Sequence, residues 1–208
     1  MSSDEVVLAS LLVSRLMHDL AASAGAVGNG IEMLRDEGGA RGGVDPAAID
    51  LLEFSANETL RRLEFFRLTF GAAGGLGSRQ PLDEARVKAS AFFEGRKVKI
   101  DWPVAAADAP QPVVKLTLNL VMLGAEALPR GGTVVVALVE RRVGVTAIGQ
   151  GAALADEKKT ALAGGAVALN ARLVQPYYAG ALARSLGGMI AAEAMTDRLV
   201  VSVPLPPA

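Results

Sequence analysis

The chain contains no cysteine and a single histidine, and both shortages narrow the chemistry open to it. Without cysteine it has no disulfide, no thiolate zinc site and no cysteine nucleophile, and one histidine excludes a histidine-rich metal cage. Aromatic residues make up 4% of the 208 residues, and acidic and basic side chains nearly cancel to a net charge of −1. This balance offers no electrostatic footprint for nucleic acid or for an anionic membrane, so we expect neither as a partner.

Long uncharged runs are also missing. No uncharged stretch reaches the roughly 18 residues that a transmembrane helix needs. The chain begins with Ser2, Ser3, Asp4 and Glu5, where a signal peptide would have a basic region. Hydrophobic residues make up 51% and charged residues 21%, which is typical of a core-forming soluble chain. We therefore expect a cytoplasmic protein.

Two segments in the first 73 residues have the apolar period of amphipathic helices. In the first segment the apolar residues are Leu8, Leu12, Leu16, Leu20, Val27, Ile31 and Leu34. In the second, which starts after Asp45 and Pro46, they are Ile49, Leu52, Ala56, Leu60, Leu63, Phe66 and Phe70. The glycine-rich stretch 38–43 cannot continue a helix, so we predict a turn there and an antiparallel helical hairpin over residues 1–73.

A single hairpin leaves half of its apolar surface uncovered. The simplest cover is a second copy of the same chain, which would complete a four-helix bundle across a two-fold axis. The sequence therefore predicts a homodimer. Glycines recur between residues 71 and 77 and break the helical pattern, and we place a linker at residues 74–81.

Residues 82–208 have a different sequence pattern, in which runs of β-branched residues alternate with stretches of helical periodicity. The predicted strands are 98–102, 133–139, 143–148, 189–193 and 199–203, and the predicted helices are 113–128 and 174–186. This alternation is typical of a layered α/β domain. The predicted fold class is thus an N-terminal antiparallel helical hairpin, forming a dimeric four-helix bundle, followed by a C-terminal α/β sandwich.

His18 is the one histidine of the chain, and at about 100° per residue it points away from Leu12, Leu16 and Leu20. Its side of the helix carries small or polar residues, namely Ser14, Ala21, Ala22, Gly25 and Asn29. A neutral imidazole is a nucleophile at cytoplasmic pH, because one ring nitrogen keeps a free lone pair. An ordinary surface histidine is the alternative that helical position alone leaves open.

The residues around His18 resemble those of a known class of signalling proteins. They read His18-Asp19-Leu20, then Gly25-Ala26-Val27, then NGIEML over residues 29–34. The first string resembles the phosphotransfer helix of histidine kinases, in which an acidic residue follows the phosphorylated histidine. The wider pattern is similar to the ChpT-type histidine phosphotransferases of alphaproteobacterial cell-cycle phosphorelays. Many kinase helices have proline five residues after the histidine, whereas this chain has Ser23.

The stretch from Leu116 to Val136 resembles the helix, turn and strand around the asparagine box of the histidine-kinase ATP-binding fold. Asn119 matches the first asparagine of that box. Leu123 stands where the kinases have the asparagine that holds Mg²⁺, and leucine has no oxygen to offer this hard cation. Glu126 takes a lysine-like position, and its negative charge would repel nucleotide phosphates.

The two glycine-rich elements of that fold are also degenerate. The kinase pattern Asp-x-Gly-x-Gly corresponds here to Ala147-Ile148-Gly149-Gln150-Gly151, so both glycines persist and the adenine-reading aspartate does not. The stretch 175–182, where a phosphate-binding lid would lie, has one glycine instead of several. Residues 82–208 are therefore expected to form a degenerate kinase catalytic-like domain that does not bind ATP.

The resemblance implies a relay of phosphate between proteins. His18 would accept a phosphoryl group from the receiver domain of a hybrid histidine kinase and donate it to receiver domains of response regulators. The chain itself would hold no cofactor and no metal, since the partner receiver supplies Mg²⁺. Asp19 would orient the ring, Arg15 would contact the phosphate or a receiver carboxylate, and an ordinary surface charge is the alternative for each.

Further expectations concern docking. The resemblance implies that the receiver lies against the stripe beside His18, on Ser14, Ala22, Gly25 and Asn29, and that the α/β domain adds a second docking surface. Two other functions stay open. One is a divergent ATP-dependent histidine kinase, against which Leu123 and Ala147 speak. The other is a non-catalytic docking adaptor, which would keep its function without His18.

Overall fold

The computed structural model describes residues 3–38, 46–71, 78–103, 106–139 and 141–206. Two long helices open the chain, α1 (Ser3–Gly38) and α2 (Pro46–Phe70). They run antiparallel, because Gly30 of α1 lies against Leu52 and the carbonyl of Asp19 meets Arg62. Residues 39–43 of the predicted turn and Asp45 lie outside the described residues, and Pro46 is the first residue of α2, as its fixed φ favours.

The rest of the chain alternates short strands and helices. In order these are β1 (Arg79–Pro81), α3 (Leu82–Phe93), β2 (Val98–Asp101), β3 (Asp108–Pro110), α4 (Gln111–Glu126), β4 (Gly132–Val139), β5 (Arg142–Ile148), α5 (Asp156–Ala163), α6 (Val174–Ser185), β6 (Ala191–Met195) and β7 (Arg198–Pro204). Five strands form one sheet in the order β2-β4-β5-β7-β6, with β2 parallel to β4 and the other pairs antiparallel. Strands β1 and β3 form a separate antiparallel pair.

One face of the five-stranded sheet is buried, because alternate residues of its central strands are apolar. These inward residues are Val134 and Val136 of β4, Val143, Val145 and Ala147 of β5, and Leu199, Val201 and Val203 of β7. Helix α4 covers this face and is buried almost throughout, from Val113 to Gly124. A side chain at Gly124 would press on Val134, so glycine lets the helix approach the sheet closely.

The helical hairpin and the α/β sandwich share one hydrophobic core. Phe65 of α2 is fully buried and stacks on Phe92 of α3, with ring centroids 4.2 Å apart. Leu16 and Leu20 of α1 pack against the same cluster. The segment of α1 that carries His18 is therefore fixed against the second half of the chain.

The architecture predicted from the sequence, a helical region followed by an α/β sheet domain, is confirmed. Five strands and four helices were predicted, and each has a counterpart in the structure; β6 begins two residues later than predicted, at Ala191. Helices α3 and α5 and the pair β1 and β3 were not assigned from the sequence. Residues 74–77 of the predicted linker lie outside the described residues, and residues 79–81 form strand β1.

Helix α1 is long and apolar enough between Asp4 and Arg35 to cross a membrane, by length and composition only. The sequence of this helix contains no long uncharged run, because Arg15 and Asp19 interrupt it. Both residues bind the folded part of the chain: Arg15 pairs with Glu126, and the carbonyl of Asp19 accepts a hydrogen bond from Arg62. These contacts, together with Leu16 and Leu20 in the shared core, dock α1 on the protein itself.

Candidate functional site

The side chain of His18 lies on the outside of α1 with 89% of its surface exposed. The preceding and following turns place Leu12, Leu16 and Leu20 on the inner side, where they are half-buried. The outward direction predicted from the helical period is thus the observed one. Ring atom Nδ1 lies 3.3 Å from Oδ1 of Asp19, which leaves Nε2 directed to solvent and open to a reaction partner.

The carboxylate of Asp19 lies between the imidazole and a guanidinium group. Its Oδ2 is 3.8 Å from Nε of Arg15, one turn earlier on the helix. The same Arg15 donates to Oε1 of Glu126 at 2.5 Å and to the carbonyl of Ala171 at 3.3 Å. Only 14% of the Arg15 side chain is exposed, so its guanidinium is engaged with the α/β domain and does not extend toward the outer face of His18.

The four residues predicted to contact a partner, Ser14, Ala22, Gly25 and Asn29, are all exposed and lie on the same side of α1 as His18. None is larger than asparagine, so these four positions place no bulky side chain beside the imidazole. Among the described residues, a Cβ added at Gly25 would meet no atom within 4 Å, whereas one at Gly30 would lie 3.1 Å from Leu52. Packing between α1 and α2 therefore accounts for Gly30 and leaves Gly25 without an internal role.

A second set of charges joins the hairpin to the turn after α3. Arg62 of α2 donates to the carbonyl of Asp19 at 2.6 Å and to Glu58 at 2.9 Å. Glu58 also accepts from Arg96, whose guanidinium lies 4.2 Å above the ring of Phe92. Burial lowers the pKa of Arg96, and the neighbouring Arg62 adds to that effect, while Glu58 opposes it.

A cleft of about 310 Å³ lies beside these charges, between the hairpin and the α/β domain. Arg15, Asp19 and Glu126 line one part of it, and Arg62, Arg96 and Phe92 line another. The backbone of α1 next to His18 therefore borders a cleft whose far wall belongs to the second half of the chain.

Asn119, the retained asparagine of the kinase-like box, is fully buried and its amide is used inside the protein. Its Nδ2 donates to the carbonyls of Lys115 and Thr69, at 2.9 and 3.4 Å. Its Oδ1 accepts from Nε2 of Gln175 at 3.0 Å. Both hydrogens of the amide and its oxygen are thus committed to α2, α4 and α6, and the side chain does not present an oxygen to a magnesium ion.

The other positions of the kinase-like boxes do not fit a magnesium nucleotide either. Leu123 and Ala147 are fully buried and apolar. Glu126 uses its two carboxylate oxygens on Arg15 and on Lys158, the latter at 2.5 Å. A negative charge at this point disfavours bound phosphates.

The two glycines of the second box close a turn. The N–H of Gly149 donates to the carbonyl of Asp197 at 3.0 Å, and the N–H of Gly151 donates to its side chain at 2.9 Å. Both N–H groups are therefore occupied by the turn between β6 and β7 and are not available to a ligand. Gly151 has a φ of 73°, which explains why glycine persists there without a ligand.

The model of the histidine phosphotransferase C-terminal domain matches residues 82–198, more than half of the chain. The protein phosphotransferase ChpT of Brucella abortus (strain 2308) is 34% identical over 201 residues, which cover 94% of each chain. The chain belongs to the histidine phosphotransferase family. A solved bacterial phosphotransferase is 33% identical, with a TM-score of 0.81 over 98% of this chain and 97% of that one.

This histidine phosphotransferase contains site residues that its sequence did not reveal. Glu126 was recognised only as an obstacle to phosphate, and its pairing with Arg15 joins residues 111 positions apart. Lys158, Arg62 and Gln175 were not identified at all, since no spacing rule links them to His18 or to Asn119. The structure shows these polar side chains at buried or half-buried helix positions, and the sequence alone does not show that they have partners.

Proposed function

We propose that His18 is the phosphoacceptor of this phosphotransferase. In the proposed relay it takes a phosphoryl group from the aspartyl phosphate of a hybrid kinase's receiver domain and passes it to receiver domains of response regulators. The observation that carries the proposal is the 89% exposure of the chain's one imidazole, on a helix face with small neighbouring side chains. The kinase-like boxes support it, because residues that cannot hold a nucleotide leave another protein as the source of phosphate.

The transfer needs little from the residues around the histidine. Phosphoryl transfer passes through a loose transition state, so positioning and charge neutralisation contribute more than covalent help. His18 Nε2 supplies the lone pair, and the receiver supplies the aspartyl phosphate and its Mg²⁺. Asp19 orients the ring through Nδ1, and we propose that the chain itself binds no cofactor and no metal.

Ser14, Ala22, Gly25 and Asn29 form the proposed contact with the receiver. Their small side chains let the rim of a receiver's active site approach Nε2 within bonding range. The α/β domain is the proposed second docking surface. A groove of about 590 Å³ supports this, because Glu94, Gly95 and Arg96 of the α/β domain line it together with residues of α1 and α2.

We further propose that the hairpin pairs with that of a second copy. Apolar residues outside the shared core are exposed at helical spacing on both helices, including Val6, Val13, Met17 and Ile31 on α1 and Ile49, Leu60 and Leu63 on α2. This face of α1 lies about 130° around the helix from His18, so a dimer would leave the imidazole open. We also propose a cytoplasmic location without membrane insertion or bound nucleic acid, because a net charge of −1 offers no electrostatic footprint for either partner.

Transfer of label from a phosphorylated receiver tests the role of His18. The protein is mixed with a receiver domain carrying ³²P on its aspartate, and acid-labile label is followed onto the wild type and onto His18→Ala. We expect label on the wild type alone. A matched variant adds Asn57→His to His18→Ala, which places a histidine on an exposed position of α2, and we expect it to stay unlabelled. Label on His18→Ala would contradict the proposal.

Gly25→Leu tests the docking stripe separately from the chemistry. The Cβ of a leucine at this exposed position would lie more than 4 Å from any described residue beyond its neighbours on the helix, so the fold is expected to be unchanged. It lies roughly 20° from His18 around the helix and should obstruct a receiver, raising the KM for receiver-borne phosphate about tenfold or more. Gly28→Leu, roughly 80° away and equally free of internal contacts, is the control and should change KM less. Equal effects of the two would contradict the assignment of the stripe.

A further inference from the structure

A row of alternating charges runs from the α/β domain to the imidazole. Lys158 of α5 donates to Oε2 of Glu126, and Arg15 of α1 donates to Oε1 of the same carboxylate, both at 2.5 Å. Nε of Arg15 then faces Oδ2 of Asp19 at 3.8 Å, and Oδ1 of Asp19 faces Nδ1 of His18 at 3.3 Å. Five side chains from three helices thus form one continuous series that ends at His18.

The inner members of this series are shielded from solvent. The exposed fractions are 23% for Lys158, 27% for Glu126, 14% for Arg15 and 29% for Asp19, against 89% for His18. Ion pairs that are partly withdrawn from water and held in a network are stronger than exposed pairs. The series is therefore able to fix the Asp19 carboxylate, although Asp19 itself lies next to an exposed residue.

The position of Glu126 at the end of its helix indicates that its negative charge serves the contacts with Arg15 and Lys158. It is the last residue of α4, where the helix dipole disfavours an anion by about 0.3–1 kcal/mol. Two cations compensate for it there, and one of them comes from the phosphotransfer helix. At the end of α4 a lysine would interact favourably with the dipole, and a neutral residue would remove the unfavourable interaction. Either residue would deprive Arg15 of its carboxylate partner on α4.

We propose that Glu126 is a positioning residue for His18, acting through Arg15 and Asp19. In this arrangement Glu126 holds the guanidinium, the guanidinium holds the Asp19 carboxylate, and that carboxylate accepts the hydrogen on Nδ1. The neutral ring is thereby kept in the tautomer with hydrogen on Nδ1, and its lone pair lies on the solvent-facing Nε2. The consequence for transfer rests on the proposed function.

The transfer step balances without another reactant. The Nε2 lone pair forms the bond to phosphorus, and the bond from phosphorus to the receiver's aspartate oxygen breaks, with its electron pair going to that carboxylate. The hydrogen on Nδ1 stays on the ring, beside the Asp19 carboxylate. That carboxylate offsets the positive charge that the ring gains. The α/β domain would thus help to position the nucleophile His18, whereas the kinase domain that it resembles binds a nucleotide.

Nuclear magnetic resonance of the ring nitrogens tests the proposal directly. The chain has one histidine, so ¹⁵N-histidine labelling reports on His18 alone. At a pH where the ring is neutral, we expect the Nδ1–H tautomer to dominate in the wild type and the Nε2–H tautomer to gain population in Glu126→Gln. Glu157→Gln, which removes an exposed charge from neighbouring α5, should leave the spectrum unchanged. A wild-type ring in the Nε2–H form, or a Glu126→Gln spectrum like that of the wild type, would overturn the proposal.

A double-variant cycle distinguishes action through Arg15 from a general loss of structure. If Glu126 acts through Arg15, the Arg15→Gln variant and the Arg15→Gln, Glu126→Gln double variant should have the same tautomer ratio. Additive effects of the two substitutions would show that Glu126 reaches His18 by another route and would refute the proposed series.

Phosphorylation by phosphoramidate, a small donor that needs no docking, separates this inference from the proposed function. We expect the rate of phosphate uptake at His18 to fall about tenfold in Glu126→Gln, as when a liganding histidine loses its orienting partner, with Glu157→Gln unchanged. An unchanged rate would contradict the link to reactivity. Absence of uptake by the wild type would count against the proposed function, while the tautomer measurement would still decide the role of Glu126.

Discussion

Asn119 joins three helices through a single amide group. Its two hydrogens go to carbonyls of α4 and α2, and its oxygen accepts a hydrogen bond from Gln175 of α6. A residue type that kinase-like boxes use for a metal thus has a structural use here. The sequence identified the position and the loss of the neighbouring ligand at Leu123, but two of the three partners of Asn119 lie 50 and 56 residues away and leave no local signal.

Asn119→Ala should destabilise the protein by about 2–3 kcal/mol, because it leaves buried hydrogen-bonding groups of Thr69 and Gln175 without this partner. The free energy of unfolding from urea denaturation measures the loss. Asn57→Ala, on the exposed side of α2, is the matched control and should change stability by less than about 0.5 kcal/mol. Equal losses of unfolding free energy at the two positions would show that the hydrogen bonds of the buried Asn119 amide do not stabilise the fold.

Lys115 is a lysine on the buried helix α4, with 7% of its surface exposed. Burial lowers its pKa, because the charged ammonium loses hydration. The charged form therefore costs stability below the folded-state pKa, and the cost disappears as pH rises from there toward the pKa of an unfolded lysine. We expect Lys115→Met to be more stable than the wild type at pH 7, with the difference shrinking in alkaline solution.

Thermal unfolding at pH 7 and in alkaline buffer measures this difference. Lys97→Met, at an exposed lysine before β2, serves as the control, and its difference from the wild type should stay near zero throughout. A gain for Lys115→Met that does not depend on pH would mean that side-chain packing, and not the charge, sets its effect.

At the scale of elements, the two long helices divide their residues among three faces. One face packs on the shared core, one carries His18 and its small neighbours, and one exposes apolar side chains such as Val13 and Leu60, which are 55% and 56% exposed. The first face stabilises the single copy, and the second is the proposed contact with a receiver domain. The apolar third face is the proposed contact between two copies.

A glutamate on that face should separate the copies, because a dimer would bury its charge without a partner. We expect Val13→Glu and Leu60→Glu to sediment as monomers in analytical ultracentrifugation at concentrations where the wild type is dimeric. Val87→Glu, at a 44% exposed valine of α3 away from this face, should remain dimeric. A monomeric wild type would refute the proposed bundle.

The elements that the sequence predicted and those that it missed differ in size and pattern. Strands β5 and β7 have buried apolar residues at alternate positions, and β4 is a run of apolar residues after Thr133. Helices α1 and α2 repeat an apolar period over many turns, so these strands and helices were identified. Helix α5 has 8 residues and little amphipathic pattern, and β1 and β3 have 3 residues each with a proline, which is too short for any period. In contrast, α3 has buried residues at helical spacing from Leu82 to Phe93, a signal that could have found it.

At the scale of the whole molecule, the site depends on contacts between the two halves of the chain. The exposure of His18 and the small residues beside it follow from the helical period and could be predicted. The commitment of Arg15 to Glu126, and of Arg62 to the backbone of Asp19, could not, because tertiary packing alone brings these segments together. The α/β domain is thereby part of the proposed phosphotransfer site, although His18 lies on the hairpin.

The shared core predicts that the two halves unfold together. Trp102, the one tryptophan, is buried at the end of β2 and reports on the α/β domain. Circular dichroism at 222 nm reports on all the helices, and α1 and α2 of the hairpin contain more than half of the described helical residues. Because Phe65 stacks on Phe92 in a cluster that spans both halves, we expect the two signals to change at the same urea concentration.

Phe65→Ala removes a fully buried ring from this cluster and should cost about 3–5 kcal/mol, lowering the midpoint of both signals equally. Phe54→Ala deletes a ring that is 68% exposed and should leave both midpoints nearly unchanged. Two separate transitions in the wild type, or a Phe65→Ala variant whose helices melt while Trp102 stays folded, would show that the hairpin is an independent unit. His18 would then lose its fixed relation to the α/β domain, and the contact from Glu126 through Arg15 could not persist.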